Sequence, residues 1–260
     1  MNFSFDGQTF SYSGINEQNE IKEFYANLRN GKKPVTSQIT PFLYEEFLSP
    51  YLEAGNSILY ISLSSGLSST YSSACIAAKA LNDKFSNAKL VVVDSLFATV
   101  ALGLMVEKAC ELRAKGNSIK DCKAALDSHC KNIYCACFVE DLMHLKRGGR
   151  IGGAQAAIGT IFGIKPIIAF NGNGKLDVTD KKKGTRLAIS FLVNKYQELG
   201  NLNAGATVYV SDADNNDVAE FTVQKILALN PNAKIKRTKL SPIIGTHLGP
   251  DSVVIGFEKI

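Results

Sequence analysis

The sequence lacks the features that define several large classes of protein. No apolar run approaches the roughly 20 residues that cross a bilayer, which excludes a membrane-spanning helix. The first residues contain neither the basic nor the apolar region of a secretory signal, so we expect a cytoplasmic protein. The sequence also has no Gly-x-x-x-x-Gly-Lys-Ser/Thr phosphate loop, no His-Glu-x-x-His motif and no Gly-x-Ser-x-Gly motif. Their absence favours a binding protein over an autonomous enzyme.

Strong basic charge and metal-ligand clusters are also missing. The net charge is +5 over 260 residues, whereas nucleic-acid-binding proteins are usually more basic, so we expect no nucleic-acid partner. Cys130, Cys135 and Cys137 lie close to His129, but residues 132–139 have the apolar pattern of a buried strand. We therefore expect no metal site, and we expect the six cysteines to be reduced.

The most informative stretch runs over residues 57–74. Residues 58–63 have the apolar pattern of a buried strand, and apolar residues recur at helical spacing beyond Thr70. The turn between them is rich in hydroxyl groups, which belong to Ser64, Ser65, Ser68 and Ser69. The first N–H groups of a helix are unpaired and carry positive charge, so this turn suits a carboxylate or a phosphate. The alternative is that the hydroxyls only form the turn and cap the helix.

Strands and helices alternate along the chain. In the first half, strands are predicted at 58–63, 89–95 and 133–139, with helices long enough for crossovers. This pattern predicts an α/β domain over residues 1–145, which opens with a β-hairpin and a helix and has a parallel sheet with helices on both faces. Ligands of such sheets bind beyond the carboxyl ends of the strands, where Ser95 would join the serines of the turn.

Residues 146–260 are predicted to form a second α/β domain. A hairpin turn at 171–174 and later alternation of strands and helices predict a mixed sheet with helices. Arg150 lies among paired glycines, a pattern that suits a domain junction or the wall of an anion site. His247 lies in a predicted loop over 241–250, bounded by glycine and proline, which favours a role in a site over a place in the core.

The cationic residues are concentrated in a few places, and the longest cluster is Lys181–Lys183 with Arg186. Two interpretations fit this cluster. It is either the solvated start of a helix or a surface that steers an acidic, ATP-bearing partner towards the chain. On the second interpretation, the candidate docking residues are Lys182, Lys183 and Arg186.

Six motifs of this sequence resemble those of the DegV family, and they follow the family's order along nearly the whole chain. They are Thr36-Ser37-Gln38, the run from Ser64 to Ala74, Asp94-Ser95, the run from Leu145 to Ile151, Ile164-Lys165-Pro166-Ile167, and the run from Gly245 to Pro250. Three departures matter. Ser69 and Asp251 stand where the family often has glycine, and the usual opening strand that ends in Thr-Asp-Ser is absent.

The resemblance implies a two-domain α/β protein that binds one long-chain fatty acid between its domains, with no other cofactor. In bacteria with a fatty acid kinase, such proteins present the bound acid for phosphorylation to an acyl phosphate. The resemblance places the carboxylate at Thr36 and Ser68, with His247 close by and Arg150 in support. Neighbouring polar residues complete the predicted site: Ser37, Ser65, Ser69, Ser95 and Thr246.

Two other functions fit the same residues. Ser68 and His247 could serve a serine hydrolase or transferase, although no third orienting acid is evident in the sequence. A carrier of another apolar acid, such as a retinoid or a bile acid, would share every motif. The chain length and unsaturation of the ligand depend on the shape of the cavity, which the sequence does not reveal.

Overall fold

The computed structural model describes residues 2–12, 18–152 and 163–260, which form three sheets surrounded by helices. The strands are β1 (Asn2–Phe5), β2 (Gln8–Ser11), β3 (Val35–Thr36), β4 (Ile58–Ser62), β5 (Leu90–Asp94), β6 (Ile133–Phe138), β7 (Ile164–Phe170), β8 (Leu176–Lys183), β9 (Thr207–Asp212), β10 (Lys234–Lys239) and β11 (Val253–Glu258). The helices are α1 (Gln18–Arg29), α2 (Pro41–Glu53), α3 (Thr70–Lys84), α4 (Val100–Ala114), α5 (Ile119–His129), α6 (Met143–Arg147), α7 (Thr185–Leu199), α8 (Asn216–Leu229) and α9 (Pro242–Leu248). Among these described residues, no helix has the length and apolar composition that crossing a membrane requires.

Local capping residues set several helix starts. Thr40 accepts a hydrogen bond from the N–H of Leu43 at 3.4 Å, and Pro41 occupies the first position of α2. Ser118 accepts a hydrogen bond from the N–H of Asp121 at 3.2 Å at the start of α5. The sequence predicts both starts: a helix that begins near Pro41, with proline at its first position, and a helix capped by Ser118 after the break at Gly116-Asn117. Both predictions are confirmed.

The N-terminal hairpin is confirmed, and it carries an additional strand. β1 and β2 pair antiparallel around Asp6 and Gly7, whose φ angles of 49° and 84° suit a tight hairpin turn. β3 pairs with the other edge of β1, where Thr36 lies opposite Phe3. Residues 31–41 are polar and bracketed by prolines, a pattern that predicts a loop. β3 corrects this prediction, and it determines where Thr36 lies.

β4 and β5 form a parallel pair with helices on both faces, as predicted. On one face, α2 and α3 bury Leu48, Leu52, Ala77 and Leu81 against the pair. On the other face, α4 and α5 contact β4 and β5. Burial of apolar residues on both faces stabilises the β4–β5 pair along its whole length, including the carboxyl ends of the two strands.

The largest sheet has six strands in the order β10-β9-β11-β6-β7-β8, and only β9 and β10 are parallel. α7 and α8 cover one face and bury Leu192 and Ile226. The opposite face packs against α4 and contributes Cys135, Cys137 and Val254 to a second core cluster. This confirms the predicted mixed sheet.

One strand belongs to a different sheet from the one predicted. β6 was predicted to extend the parallel sheet, but it pairs antiparallel with β11 and β7 inside the six-stranded sheet. β6 is buried on both faces, with Cys135 and Cys137 in one cluster and Ala136 and Phe138 in the other. A continuous apolar run looks the same in either sheet, so the pattern could not decide. The domain boundary between residues 145 and 146 stays a prediction.

Two further predictions were wrong in detail. The predicted loop over 241–250 contains α9, which begins with Ser241 as its cap and Pro242 at its first position. The sequence predicts the partner strand of the 171–174 turn over residues 175–179, but β8 runs on to Lys183, so the lysine cluster is the end of this strand and not the start of a helix. Lys182 is half-buried while Lys181 and Lys183 are exposed, which is the alternation of an edge strand.

Candidate functional site

Buried hydrogen bonds hold the hydroxyl-rich turn after β4 against the six-stranded sheet. Ser64 is fully buried, and its Oγ donates to the carbonyl oxygen of Gly174 at 2.7 Å and accepts from the N–H of Gly66 at 3.1 Å. A Cβ at Gly66 would lie 2.7 Å from the carbonyl oxygens of Asn173 and Gly174. Glycine is therefore required where the turn contacts the β7–β8 hairpin, and the position of the serines follows from this contact.

The next hydroxyl groups lie at the N-terminus of α3. Ser68 Oγ accepts a hydrogen bond from the N–H of Thr70 at 3.2 Å and lies 2.9 Å from Thr70 Oγ1. Ser69 is exposed and its side chain makes no capping hydrogen bond. Its φ of −71° is ordinary for any residue, so serine replaces the family's glycine without strain. Hydroxyls and helix N–H groups together provide hydrogen-bond donors for an anion.

Arg150 ties this turn to the loop after α6. Its Nε donates to the carbonyl oxygen of Leu67 at 3.1 Å, and its Nη1 donates to the carbonyl oxygen of Gly148. A guanidinium has five N–H donors, so these two bonds leave others to face a ligand. Arg150 therefore positions the turn and adds positive charge beside it.

Thr36 and His247 meet although they lie near opposite ends of the chain. β3 positions Thr36 and α9 positions His247, and Thr36 Oγ1 lies 2.9 Å from His247 Nε2. His247 Nδ1 is buried and has no hydrogen-bond partner among the described residues. A Cβ at Gly148 would lie 2.3 Å from this Nδ1, so the backbone of Gly148 packs directly against the ring.

His247 is neutral near pH 7 in the folded chain. Burial, together with the positive charges of Arg150 and Arg147, lowers the pKa of His247 to about 4. A neutral imidazole carries one N–H. If Nε2 carries it, His247 donates to Thr36 and the hydroxyl of Thr36 can donate to a ligand. If Nδ1 carries it, Thr36 must donate to His247, so a carboxylate at Thr36 selects the Nε2–H form.

These residues surround a cavity of about 560 Å³ between the β4–α3 turn, α9 and the face of the six-stranded sheet. At one end of the cavity the lining residues are polar and exposed, and these are Ser37, Gln38, Ser65 and Ser69. We call this end the cavity mouth. The inner wall is apolar and buried: Ala98, Cys135, Cys137, Leu145, Ile168, Leu248 and Val254. A volume of this size lies within the roughly 300–1,000 Å³ of small-molecule sites. The cavity is thus amphipathic, because it is polar at the mouth and apolar at the inner wall.

Seven of the nine predicted binding residues line the cavity, namely Thr36, Ser37, Ser65, Ser68, Ser69, Arg150 and His247. The structure does not bring the other two to it. Ser95 is buried and its Oγ donates to the carbonyl oxygen of Phe97 at 3.0 Å, while it accepts from the N–H of Phe97 at 3.1 Å. Thr246 Oγ1 donates to the carbonyl oxygen of Pro242 at 2.8 Å inside α9. Both hydroxyls serve the local backbone.

The candidate docking residues lie away from the inner wall. Lys182 and Lys183 end β8, and Arg186 lies in the first turn of α7. Lys182 Nζ is 3.0 Å from Asp180 Oδ2 and 4.5 Å from the centre of the Phe191 ring, so its charge is partly compensated. Leu176, at the start of β8, lines the cavity, and a strand rises about 3.3 Å per residue. The exposed end of this strand is therefore about 20 Å from Leu176 along the strand.

Sequence reasoning missed most of the inner wall. Cys135 and Cys137 on β6, with Phe170 and Leu176 on either side of the hairpin turn, line the cavity. Alternation along a strand places residues 135 and 137 on one face of the sheet. No sequence signal distinguishes a face that borders a cavity from a face that is packed in a core.

The arrangement does not assemble a serine-nucleophile triad. Ser68 Oγ is hydrogen-bonded with Thr70, and His247 Nε2 is hydrogen-bonded with Thr36. In the described part of the chain no carboxylate bonds to His247 Nδ1, which is where a triad places its orienting acid. The geometry favours binding over nucleophilic catalysis by Ser68.

The fold and cavity define an α/β protein in which two sheets flank an amphipathic cavity. The profile of the DegV family, described as "Uncharacterised protein, DegV family", matches residues 1–259, and the chain belongs to this family. A DegV domain-containing protein of Clostridium perfringens is 34% identical over 238 residues, which cover 91% of this chain and 81% of that protein. The resemblance seen in the six motifs is confirmed.

Solved structures show the same fold. The DegV protein of Bacillus subtilis, described as a fatty acid binding protein, is 27% identical with a TM-score of 0.82, and the match covers 100% of this chain and 90% of that one. The Fatty Acid Kinase (Fak) B3 protein of Streptococcus pneumoniae, loaded with linoleic acid, is 18% identical with a TM-score of 0.85, and the match covers 99% and 89% of the two chains. The second likeness concerns the fold alone.

Proposed function

We propose that this chain binds one long-chain fatty acid in the amphipathic cavity. The observation that carries the proposal is the change from exposed hydroxyls at the mouth to buried apolar side chains at the inner wall. A fatty acid has the matching chemistry, because its carboxylate requires hydrogen-bond donors and its tail gains free energy when it leaves water. The Bacillus subtilis relative, described as a fatty acid binding protein, supports this choice.

The carboxylate would lie between Thr36 and Ser68. In this position it accepts a hydrogen bond from the Thr36 hydroxyl, which His247 orients through its Nε2–H. Arg150 adds positive charge from the side of the turn that it anchors. A buried, unpaired carboxylate costs several kcal/mol, and these donors supply its partners. The proposal therefore invokes neither a metal nor another cofactor.

We further propose that the bound acid is presented to a separate fatty acid kinase in the cytoplasm. The support for a kinase is the shared fold with the Streptococcus pneumoniae Fak B3 protein. The support for the cytoplasm is that the six cysteines are free thiols, with Cys110 exposed. In this view the chain supplies the substrate and the kinase supplies ATP and the phosphoryl transfer.

Native mass spectrometry of the chain purified from a bacterial host tests the binding proposal. We expect one added mass per chain, in the range of a C14–C20 fatty acid, which organic extraction removes and added oleate restores. A protein that carries no lipid after purification, and takes up none when oleate is added, would contradict the proposal. A retinoid or a bile acid recovered in its place would support the carrier of another apolar acid.

A further inference from the structure

Helix α2 carries a wide apolar arc, only part of which is buried. Tyr44, Leu48 and Leu52 pack against the parallel strands. Beside this buried face, Leu43 (46%), Phe47 (67%) and Tyr51 (51%) recur every four residues and leave large fractions of their side chains exposed. We call this exposed stripe, with Pro50, the α2 ridge. Exposed apolar side chains that form one continuous stripe are typical of an interface.

The α2 ridge borders the cavity mouth. A surface groove of about 590 Å³ runs beside it, lined by Asn2, Ser37, Gln38, Ile39, Leu43, Glu46, Phe47, Pro50 and Tyr51. Ser37, Gln38 and Ile39 also line the fatty acid cavity. A protein that covers the mouth therefore contacts the groove and the ridge.

Phosphorylation of the bound acid requires that a partner cover this mouth. A carboxylate oxygen must attack the γ-phosphorus of ATP while the bond from that phosphorus to the β-phosphate oxygen breaks, which yields the acyl phosphate and ADP. The carboxylate is already deprotonated, so no proton has to leave it. The reacting atoms must approach to about 3–3.5 Å. A kinase that brings ATP this close to Thr36 and Ser68 must rest on the rim of the mouth.

The charge of α2 indicates the chemistry of the occupant. The helix carries Glu45, Glu46 and Glu53 and has neither lysine nor arginine. Glu46 lies in the groove itself. Amphipathic helices that lie on anionic membranes are usually rich in lysine and arginine, so this composition argues against a bilayer and for a protein surface with basic groups around an apolar groove.

We propose that the α2 ridge is the docking surface for an ATP-dependent kinase subunit that phosphorylates the bound fatty acid. The aromatic side chains of the ridge enter an apolar groove of the kinase, and Glu46 pairs with a basic group at its edge. This inference rests on the proposed function, because it assigns a surface to the partner that the proposed function requires.

The test uses the oleate-loaded full-length chain, ATP and the fatty acid kinase from the same genome. The variant is Phe47→Ser with Tyr51→Ser, two neighbouring aromatic residues of the ridge, and the control is Val106→Ser, which changes a side chain on α4 that is 48% exposed and lies outside the groove. We expect the kinase's KM for the double variant to rise about tenfold or more, because aromatic anchors dominate interfaces. The control should stay within twofold of the wild type, and kcat should change little in either variant. Glu46→Lys should also raise KM.

Three results would overturn the inference. The first is a double variant that is phosphorylated with the wild-type KM. The second is a wild-type dimer that the double variant converts to a monomer in size-exclusion chromatography, which would assign the ridge to a second copy of the chain. The third is co-sedimentation of the wild type with phosphatidylcholine vesicles that the double variant loses, which would assign it to a bilayer. Native mass spectrometry of each variant separates these outcomes from failure of the proposed function, in which the wild type itself carries no fatty acid and the inference falls with it.

Discussion

Thr36 Oγ1 and His247 Nε2 lie 2.9 Å apart, although 211 positions of sequence separate them. The contact joins β3, which extends the N-terminal hairpin, to α9 near the end of the chain. In the Nε2–H form, His247 would act on a bound carboxylate through the Thr36 hydroxyl. A change at Thr36 should therefore weaken ligand binding directly while the fold persists.

Replacing the Thr36 hydroxyl should weaken fatty acid binding while the fold persists. Thr36→Val keeps the shape of the side chain but removes its donor, and a hydrogen bond to a charged group is worth about 1.5–3 kcal/mol. We expect the affinity for oleate to fall about 10- to 100-fold, and the combined change Thr36→Ala with Ser68→Ala should abolish retention. Displacement of a fluorescent fatty acid measures the affinity.

Thr36→Ser is the matched control for this experiment, since it restores the hydroxyl and should bind within a few-fold of the wild type. Circular dichroism should show unchanged secondary structure in all three variants. Full lipid occupancy in the double variant would contradict the placement of the carboxylate.

A methyl group at residue 148 should weaken binding by displacing the ring of His247. The Cβ of Gly148→Ala would lie 2.3 Å from His247 Nδ1, so the ring must leave the position in which Nε2 lies 2.9 Å from Thr36 Oγ1. Overpacking of this kind costs about 1–3 kcal/mol. We expect the oleate affinity to fall about tenfold.

Gly152→Ala is the control for this prediction, because a Cβ there would meet nothing within 4 Å. It should leave the affinity unchanged. Equal affinities of Gly148→Ala and wild type would show that the position of the His247 ring does not matter for binding.

The sequence predicted the positions of helices and strands better than it predicted which strands pair in one sheet. Strong local signals determined most helix boundaries, such as Thr40 before Pro41. The same signal, Ser241 before Pro242, was outweighed by the glycines that follow, and the segment was predicted as a loop. Sheet membership depends on contacts between distant residues, so the apolar run of β6 was compatible with both sheets.

The polar residues of the site were mostly predictable, and its shape was not. Motifs pointed to Thr36, Ser68, Arg150 and His247, and all four line the cavity. Ser95 has the same local context as the other serines, directly after a parallel strand, but its Oγ is used by the backbone of Phe97. The direction of a short hydroxyl side chain follows from its turn geometry, which the residue type alone does not determine.

The stability of the ligand-free chain should fall as the pH is lowered from 6.5 to 4. The pKa of His247 is about 4 in the folded chain, and an unfolded histidine has a pKa of about 6.5. In this window the unfolded state binds a proton that the folded state does not, so the free energy of unfolding decreases as the pH falls. Above pH 6.5 the residue is neutral in both states and contributes no slope. The full effect is roughly 3 kcal/mol.

Urea unfolding of the delipidated wild type and of His247→Gln, at pH 7.5 and at pH 5, measures this effect. The variant should lose less stability over the interval. Burial also lowers the pKa of His129 and His144, but both residues are retained in the variant, so the difference between the two proteins isolates His247. Identical pH dependence in the two proteins would contradict a lowered pKa for His247.

Asp251 should tolerate glycine but not alanine. Its φ is 62°, in the left-handed region, where a side chain costs roughly 1–2 kcal/mol and aspartate is among the better tolerated. Its carboxylate is 2.7 Å from Arg29 Nη2, but both side chains are about one-third exposed, so the pair contributes only about 0–1 kcal/mol.

We expect Asp251→Ala to lower the free energy of unfolding by about 1–2 kcal/mol and Asp251→Gly to stay within about 0.5 kcal/mol of the wild type. Urea titration of both variants checks this. An equal loss in the two would show that the contact with Arg29, and not the backbone conformation, is what matters.

The basic stretch at the end of β8 should affect the rate of encounter with the kinase and not lipid binding. Lys183 and Arg186 are exposed, and long-range attraction to an acidic, ATP-bearing partner raises association rates at low salt. Lys182 is a poorer target, because a glutamate there would face the carboxylate of Asp180. We therefore expect Lys183→Glu with Arg186→Glu to keep its fatty acid while kcat/KM for phosphorylation falls about 3- to 10-fold at low ionic strength. The difference should shrink in 0.5 M salt, where charges are screened within a few ångströms.

The α2 ridge variants should behave differently, since apolar contacts are not screened and their defect should persist in salt. If the charge-reversed protein matches the wild type at low ionic strength, the end of β8 has no part in docking.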